Sequence, residues 1–238
     1  MKKFFLLFGV ASSFVLFSSA LAAEVDVDEI LKKADNIRNP AESFFMRVEV
    51  ADTGADARSV FEVSTGGHDK TFIRTLEPAR DKWHNLLMLG DDMWAYIPNM
   101  KRSVRVSMNQ KLSGQSANGD ISRMRWYGDY SAKMEKQTDK EWILALSASR
   151  KGLTYDRILA KVDKATGRPV SAEYQTMAGK ALKRATFGGY KMDAGAVRPH
   201  EILIQDAIRS KEVSTIRILQ MQVKNFSAST FSQAALSE

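Results

Sequence analysis

From Pro40 to Val223 the chain keeps a two-residue hydrophobic period broken by turn signals, and this rhythm limits its fold more than any other feature. Thr53-Gly54, Gly66-Gly67, Gly90-Asp91, Pro98-Asn99, Thr138-Asp139, Lys151-Gly152, Thr166-Gly167, Ala178-Gly179 and Gly188-Gly189 punctuate it, mostly eight to fifteen residues apart. Runs such as "ARSVFEVST", "KTFIRTL", "EWILALSA", "TYDRILAKV" and "HEILIQD" lie between them. The pattern predicts an antiparallel meander of roughly ten or eleven strands. A sheet that wide curls strongly or closes. In "EVSTIRILQMQV" the apolar phase slips by one residue between Ile218 and Leu219, which predicts a β-bulge and a bend.

Two segments break the rhythm. Val27, Ile30, Leu31, Ala34 and Ile37 fall on one helical face, with Asp26 as N-cap, Glu29 three residues on and Pro40 as the stop. The closing "SASTFSQAALSE" suits a short helix with Phe231, Ala234 and Ala235 on one side. The expected fold class is therefore mainly β: a strongly curled antiparallel sheet or half-open barrel. An N-terminal helix and short helices cover its concave face.

The first residues predict a compartment. Lys2 and Lys3 precede an apolar run from Phe4 to Phe17, and Ala20-Leu21-Ala22 supplies a small-residue cleavage site. Residues 1–22 read as a Sec-type signal peptide, with 23–238 as one mature domain. The run is short for a spanning helix, which needs about 20 apolar residues. The chain has no cysteine. It therefore has no lipoprotein acylation site and no disulfide framework. The expectation is a soluble, unlipidated periplasmic protein.

Charge is local. Removing Lys2 and Lys3 from 35 basic residues leaves 33 against 28 acidic ones, an excess of five. Residues 101–125 hold Lys101, Arg102, Arg105, Lys111, Arg123 and Arg125 against Asp120 alone, again an excess of five. That concentration suggests a basic site. Catalytic signals are missing. The three histidines, His68, His84 and His200, share no ligand spacing, and no nucleophile elbow, P-loop or dinucleotide fingerprint occurs. No metal, cofactor or enzymatic role is expected. A leader and the lack of an aromatic-stacking module argue against nucleic acid. Cations beside large apolar side chains outside the cytoplasm match an amphiphile: a lipid or a lipid-modified protein.

The stretch "MWAYIPNMKRSVRVS", followed by "LSGQSANGDISRMRWYGDYSA", closely resembles the outer-membrane lipoprotein-sorting protein family, the larger LolA-like periplasmic proteins. The matching positions are Trp94, Tyr96, Pro98, Lys101, Arg102, Arg105, Val106, Gly114, Gln115, Asn118, Asp120, Ile121, Asp129 and Tyr130. The resemblance implies a LolA/LolB-like half-barrel. It also implies a non-catalytic activity, carrying acyl chains of lipoproteins or lipids in a hydrophobic cavity toward the outer membrane. The alternative is a ligand-sensing or accessory module of an envelope exporter that moves no cargo. Expected partners are the cargo, an inner-membrane transporter or exporter and, transiently, the membrane surface.

Roles in that stretch follow from alternation. Trp94 and Tyr96 share one strand face, while Met93, Ala95 and Ile97 take the other. Candidate cavity residues are Met93, Trp94, Tyr96, Ile97, Val104, Val106, Ile121, Met124 and Trp126. Lys101, Arg102, Arg105, Arg123 and Arg125 form the candidate basic rim for head groups or a partner. "NQKLSGQSANGD" reads as a flexible loop. "DISRMRWYGDY" reads as a short helical lid carrying Ile121, Met124, Arg125 and Trp126.

Overall fold

The computed structural model describes residues 25–40, 43–53, 58–82, 84–122, 125–209 and 211–238. The expected leader, residues 1–22, lies outside them, as do Arg123 and Met124. Helix α1 (Val27–Arg38) forms as its pattern predicts. The Asp26 carboxylate accepts from the amides of Asp28 (3.0 Å) and Glu29 (3.1 Å), and Ile30, Leu31 and Ala34 are buried.

A first run of strands follows: β1 (Phe44–Asp52), β2 (Arg58–Gly66), β3 (Lys70–Glu77), β4 (Leu86–Leu89), β5 (Asp92–Ile97) and β6 (Arg102–Val106). A small hairpin, β7 (Lys111–Ser113) and β8 (Ser116–Ala117), leads into α2 (Asn118–Ser122). The second run is β9 (Tyr130–Gln137), β10 (Glu141–Ala148), β11 (Arg157–Asp163), β12 (Pro169–Gln175) and β13 (Ala181–Gly188). Hairpin β14 (Lys191–Asp193) and β15 (Ala196–Arg198) precedes β16 (Glu201–Asp206) and β17 (Val213–Val223).

Thirteen strands form one antiparallel sheet in the order β6-β5-β4-β3-β2-β1-β17-β16-β13-β12-β11-β10-β9. The last two strands join the two meanders at the centre, through β1–β17 and β13–β16. The sheet is strongly curled, and one ion pair demonstrates it. Arg150, after β10, lies 3.0 Å from Asp91, in the β4–β5 turn. With strands about 4.8 Å apart, a flat sheet would separate those turns by about 40 Å.

The bulge occurs where the apolar phase slips. Arg47 pairs with Gln220 and Val48 with Ile218, so Leu219 is the extra residue. Ile218 and Met221 are buried, while Leu219 is half exposed. The main core lies on the α1 side of the sheet and draws on both meanders. The C-terminal residues form two 3-10 turns (Ala228–Phe231 and Ala234–Ser237), and these pack on the opposite face. Phe231 and Leu236 rest there on Phe72 and Leu87. Gly66 makes room, since a Cβ at that position would enter the Phe231 ring. Among the described helices, α1 and α2 lie over the main core, and the C-terminal 3-10 turns lie on the other face.

Candidate functional site

Between the sheet and the α1–α2 cover lies a cavity of about 30 Å³. Ile158, Ile202, Ile204, Ile216 and Phe187 line it from the sheet, and Arg38, Asp120, Trp126 and Tyr155 also line it.

The polar end begins on α1. Its buried side carries Asp35 and Arg38, one turn apart, joined at 3.0 Å. A second Asp35 oxygen accepts from the amides of Trp126 (3.0 Å) and Tyr127 (3.1 Å). Burial raises the Asp35 pKa, against the pull of Arg38 and the two amides. The Arg38 guanidinium lies 4.0 Å over the Trp126 ring and 5.4 Å from the Phe187 ring. Those two rings meet edge to face at 5.8 Å. The Arg38 Nε is buried without a hydrogen-bond partner. Burial also lowers the pKa of Arg125, with Asp35 and Asp129 opposing.

The other polar cluster centres on Asp120. Its carboxylate accepts from the Tyr155 hydroxyl (2.8 Å) and the Ala117 amide (2.8 Å), and Lys183 lies at 3.5 Å. Tyr130 donates to the Tyr155 carbonyl (3.1 Å), and the Tyr155 and Tyr174 rings stack at 4.2 Å. Burial pushes the phenols of Tyr130, Tyr155 and Tyr174 upward. They are neutral hydrogen-bonding groups at any physiological pH.

The "GQSAN" motif anchors the cover. Gly114 has φ +55°, and a Cβ there would strike the Asp52 carboxylate and the Ser214 hydroxyl. The Gln115 amide donates to the Ser214 hydroxyl (2.6 Å), and its side chain to Glu212 (2.8 Å). Asn118 donates to the Ser107 carbonyl (2.9 Å), and Thr71 to the Ser122 carbonyl (2.9 Å). The expected flexible loop is a docked hairpin and helix turn.

The structure divides the expected site residues. Ile121 and Trp126 are buried in the main core, and Val106 packs against it. Met93 packs with Met88 and Met108. Val104 pairs with Ala95, and Ile97 shares the side of Met93 by alternation. Trp94 and Tyr96 point to the opposite face, against the C-terminal turns. They cannot line one cavity with Met93, because successive strand side chains alternate. Trp126 lies beyond α2, which ends at Ser122, and is 2% exposed, so it is a core residue and not a helical lid. Lys101, Arg102 and Arg105 are exposed on or beside β6, whereas Arg125 lines the internal cavity. Met124 and Arg123 fall outside the described residues. Asp35, Arg38, Tyr155 and Phe187 went unnoticed in the sequence. The available signal was a charged pair in register with Leu31 on the apolar face of α1.

A family model described as an uncharacterized protein matches residues 67–238. No curated protein matches the chain. Among solved structures, a LolA superfamily protein from Nitrosomonas europaea is 30% identical. The match covers 89% of this chain and 100% of that one, with a TM-score of 0.83. An outer membrane lipoprotein-sorting protein domain from Vibrio parahaemolyticus shares the fold at 18% identity. That match covers 89% of this chain and 98% of the other, with a TM-score of 0.73. No helix among the described residues is long and apolar enough to cross a membrane.

Proposed function

Because the chain belongs to the LolA superfamily, we propose that it is a non-catalytic periplasmic carrier. It takes the acyl chains of a lipid or lipoprotein between its sheet and its cover. Residues 1–22 direct export and are removed, and an inner-membrane exporter hands over the cargo.

The observation that carries this reading is the way the cover is held. Trp126 faces the four sheet isoleucines across the cavity, while polar latches hold the segment after β6 in place: Thr71 of β3 to Ser122, Gln115 to Ser214 of β17, and Trp126 and Tyr127 to Asp35 of α1. The cavity of about 30 Å³ is closed to an acyl chain. Even benzene occupies an engineered cavity of about 150 Å³. Cargo must therefore displace the cover. In that exchange the isoleucines swap one apolar neighbour for another, and the cost falls on the latches. A latch hydrogen bond is worth about 1 kcal/mol net. A chain of about fifteen methylenes leaving water returns about 12 kcal/mol. Acyl cargo can open this cover, and a small polar solute cannot.

The test is purification of the exported protein from a bacterial envelope, followed by lipid mass spectrometry and uptake of a fluorescent acyl probe. One acyl species per protein, or saturable uptake at that ratio, is expected. A protein that is empty and takes up no probe overturns the reading.

A further inference from the structure

The basic side chains at Lys101, Arg102 and Arg105 are exposed and do not line the internal cavity. They lie on or beside β6, an end strand of the thirteen-stranded sheet. We infer that β6 is a docking edge at which an acidic, extended segment of a partner protein adds to the sheet as a fourteenth strand.

Backbone phase defines the edge. The Tyr96 amide donates to the Asn85 carbonyl (2.9 Å), on the β4 side. In an antiparallel strand the N–H and C=O of one residue point the same way, and the direction alternates. Trp94 and Tyr96 therefore turn toward β4, and Met93, Ala95 and Ile97 turn toward β6. Their partners Val106, Val104 and Arg102 are satisfied by β5. Ser103 and Arg105 consequently aim their N–H and C=O groups outward. Among the described residues, no backbone hydrogen bond reaches that side. Two donors and two acceptors are ready for an added strand.

The far edge differs. β9 carries a bulge, since Ile143 pairs with Lys136 and Leu144 with Met134. It also mixes Lys133, Glu135 and Lys136 along its length. Bulges and mixed charge blunt an edge. β6 has an unbroken register with β5 and only cations among its charged side chains.

Charge selects the occupant. Arg105 pairs with Asp92, but among the described residues no carboxylate pairs with Lys101 or Arg102. A second copy of β6 would set cation against cation, which disfavours self-pairing. Carboxylates on an incoming strand would meet Arg105 on the Trp94 face or Arg102 on the Ile97 face while its backbone joins Ser103 and Arg105.

Fluorescence anisotropy of a short peptide alternating Glu and Val tests the inference, with a Lys and Val peptide as control. Binding of the acidic peptide that weakens with salt is expected, with none of the basic one. Ser103→Pro removes one outward N–H and no bond to β5, since edge strands tolerate proline there. It should weaken the acidic peptide about tenfold and leave melting and acyl-probe uptake unchanged. An acidic peptide N-methylated at alternate residues keeps its charge but loses donors, and should fail to bind the parent protein whatever the fate of the proline variant. Lys101→Glu with Arg102→Glu should reverse the preference. Equal binding of the methylated peptide would mean attraction by charge alone and overturns strand addition. So would absence of binding, or a dimer of the free protein that Ser103→Pro dissolves.

Discussion

Asp35 and Arg38 put two charges on the buried side of a helix that otherwise offers Ile30, Leu31 and Ala34 to the core. Such a pair gives specificity more than net stability, but breaking it is costly, because the survivor is left charged and desolvated. Asp35→Ala strands Arg38 and frees two buried amides, those of Trp126 and Tyr127. A loss of about 3–5 kcal/mol is expected, read from the urea midpoint. A shift below a tenth of that would mean the region is already wet. Trp126 makes a sharper test. As a core residue wedged between Arg38 and Phe187, its truncation to alanine should cost about 3–5 kcal/mol. A surface lid would leave the melting temperature nearly intact, and that result would refute the core placement. The sequence left Trp126 open because a large aromatic serves equally in a core or over a cavity. It hid Asp35 and Arg38 because charged residues are ordinarily read as solvated.

Elements whose signals are local were legible. The cap, apolar face and stop of α1 lie within fifteen residues, Asp26 to Pro40. The phase slip in β17 needed only alternation. Elements defined by distant partners were not legible. The β7–β8 hairpin looks like a polar loop until Ser214, about a hundred residues on, receives Gln115. The C-terminal turns take the far face because Phe72 and Leu87 need covering there. The bulge allows a test at this scale. Deleting Leu219 restores simple alternation: Ile218 and Met221 still face inward, and Val48 and Met46 keep their partners. The variant should fold with a β-rich circular dichroism spectrum and lose less than about 2 kcal/mol. Loss of cooperative unfolding would mean that the bend itself is required to bring the two meanders together.

At the scale of the whole molecule, the protein joins a firm half to a releasable one. The strands β1, β17, β16 and β13 are central in a continuous ladder, and their amides are expected to exchange only through global unfolding. Residues 111–122, with their one small helix, are held by side-chain hydrogen bonds to Ser214 of β17 and Thr71 of β3, and Trp126 and Tyr127 by Asp35 of α1. The Arg150 link to Asp91 and Asp129 fixes the gap between the meanders at one end, so opening is expected along the cover and not by spreading of the sheet. Hydrogen exchange followed by mass spectrometry separates these motions. Without cargo, the amides of Trp126 and Tyr127, which donate to Asp35, should exchange slowly. When an acyl probe is bound, exchange in 111–127 should rise, because the chain occupies the space between the isoleucine wall and Trp126. Peptides from β16 and β17 should keep or gain protection, since apolar cargo now covers them. Uniformly increased exchange would indicate that the probe unfolds the protein. Unchanged exchange in 111–127 with the probe bound would place the acyl chain elsewhere, and the outer cavity of about 440 Å³ beside Phe45, Phe72 and Phe226 would become the site to mutate.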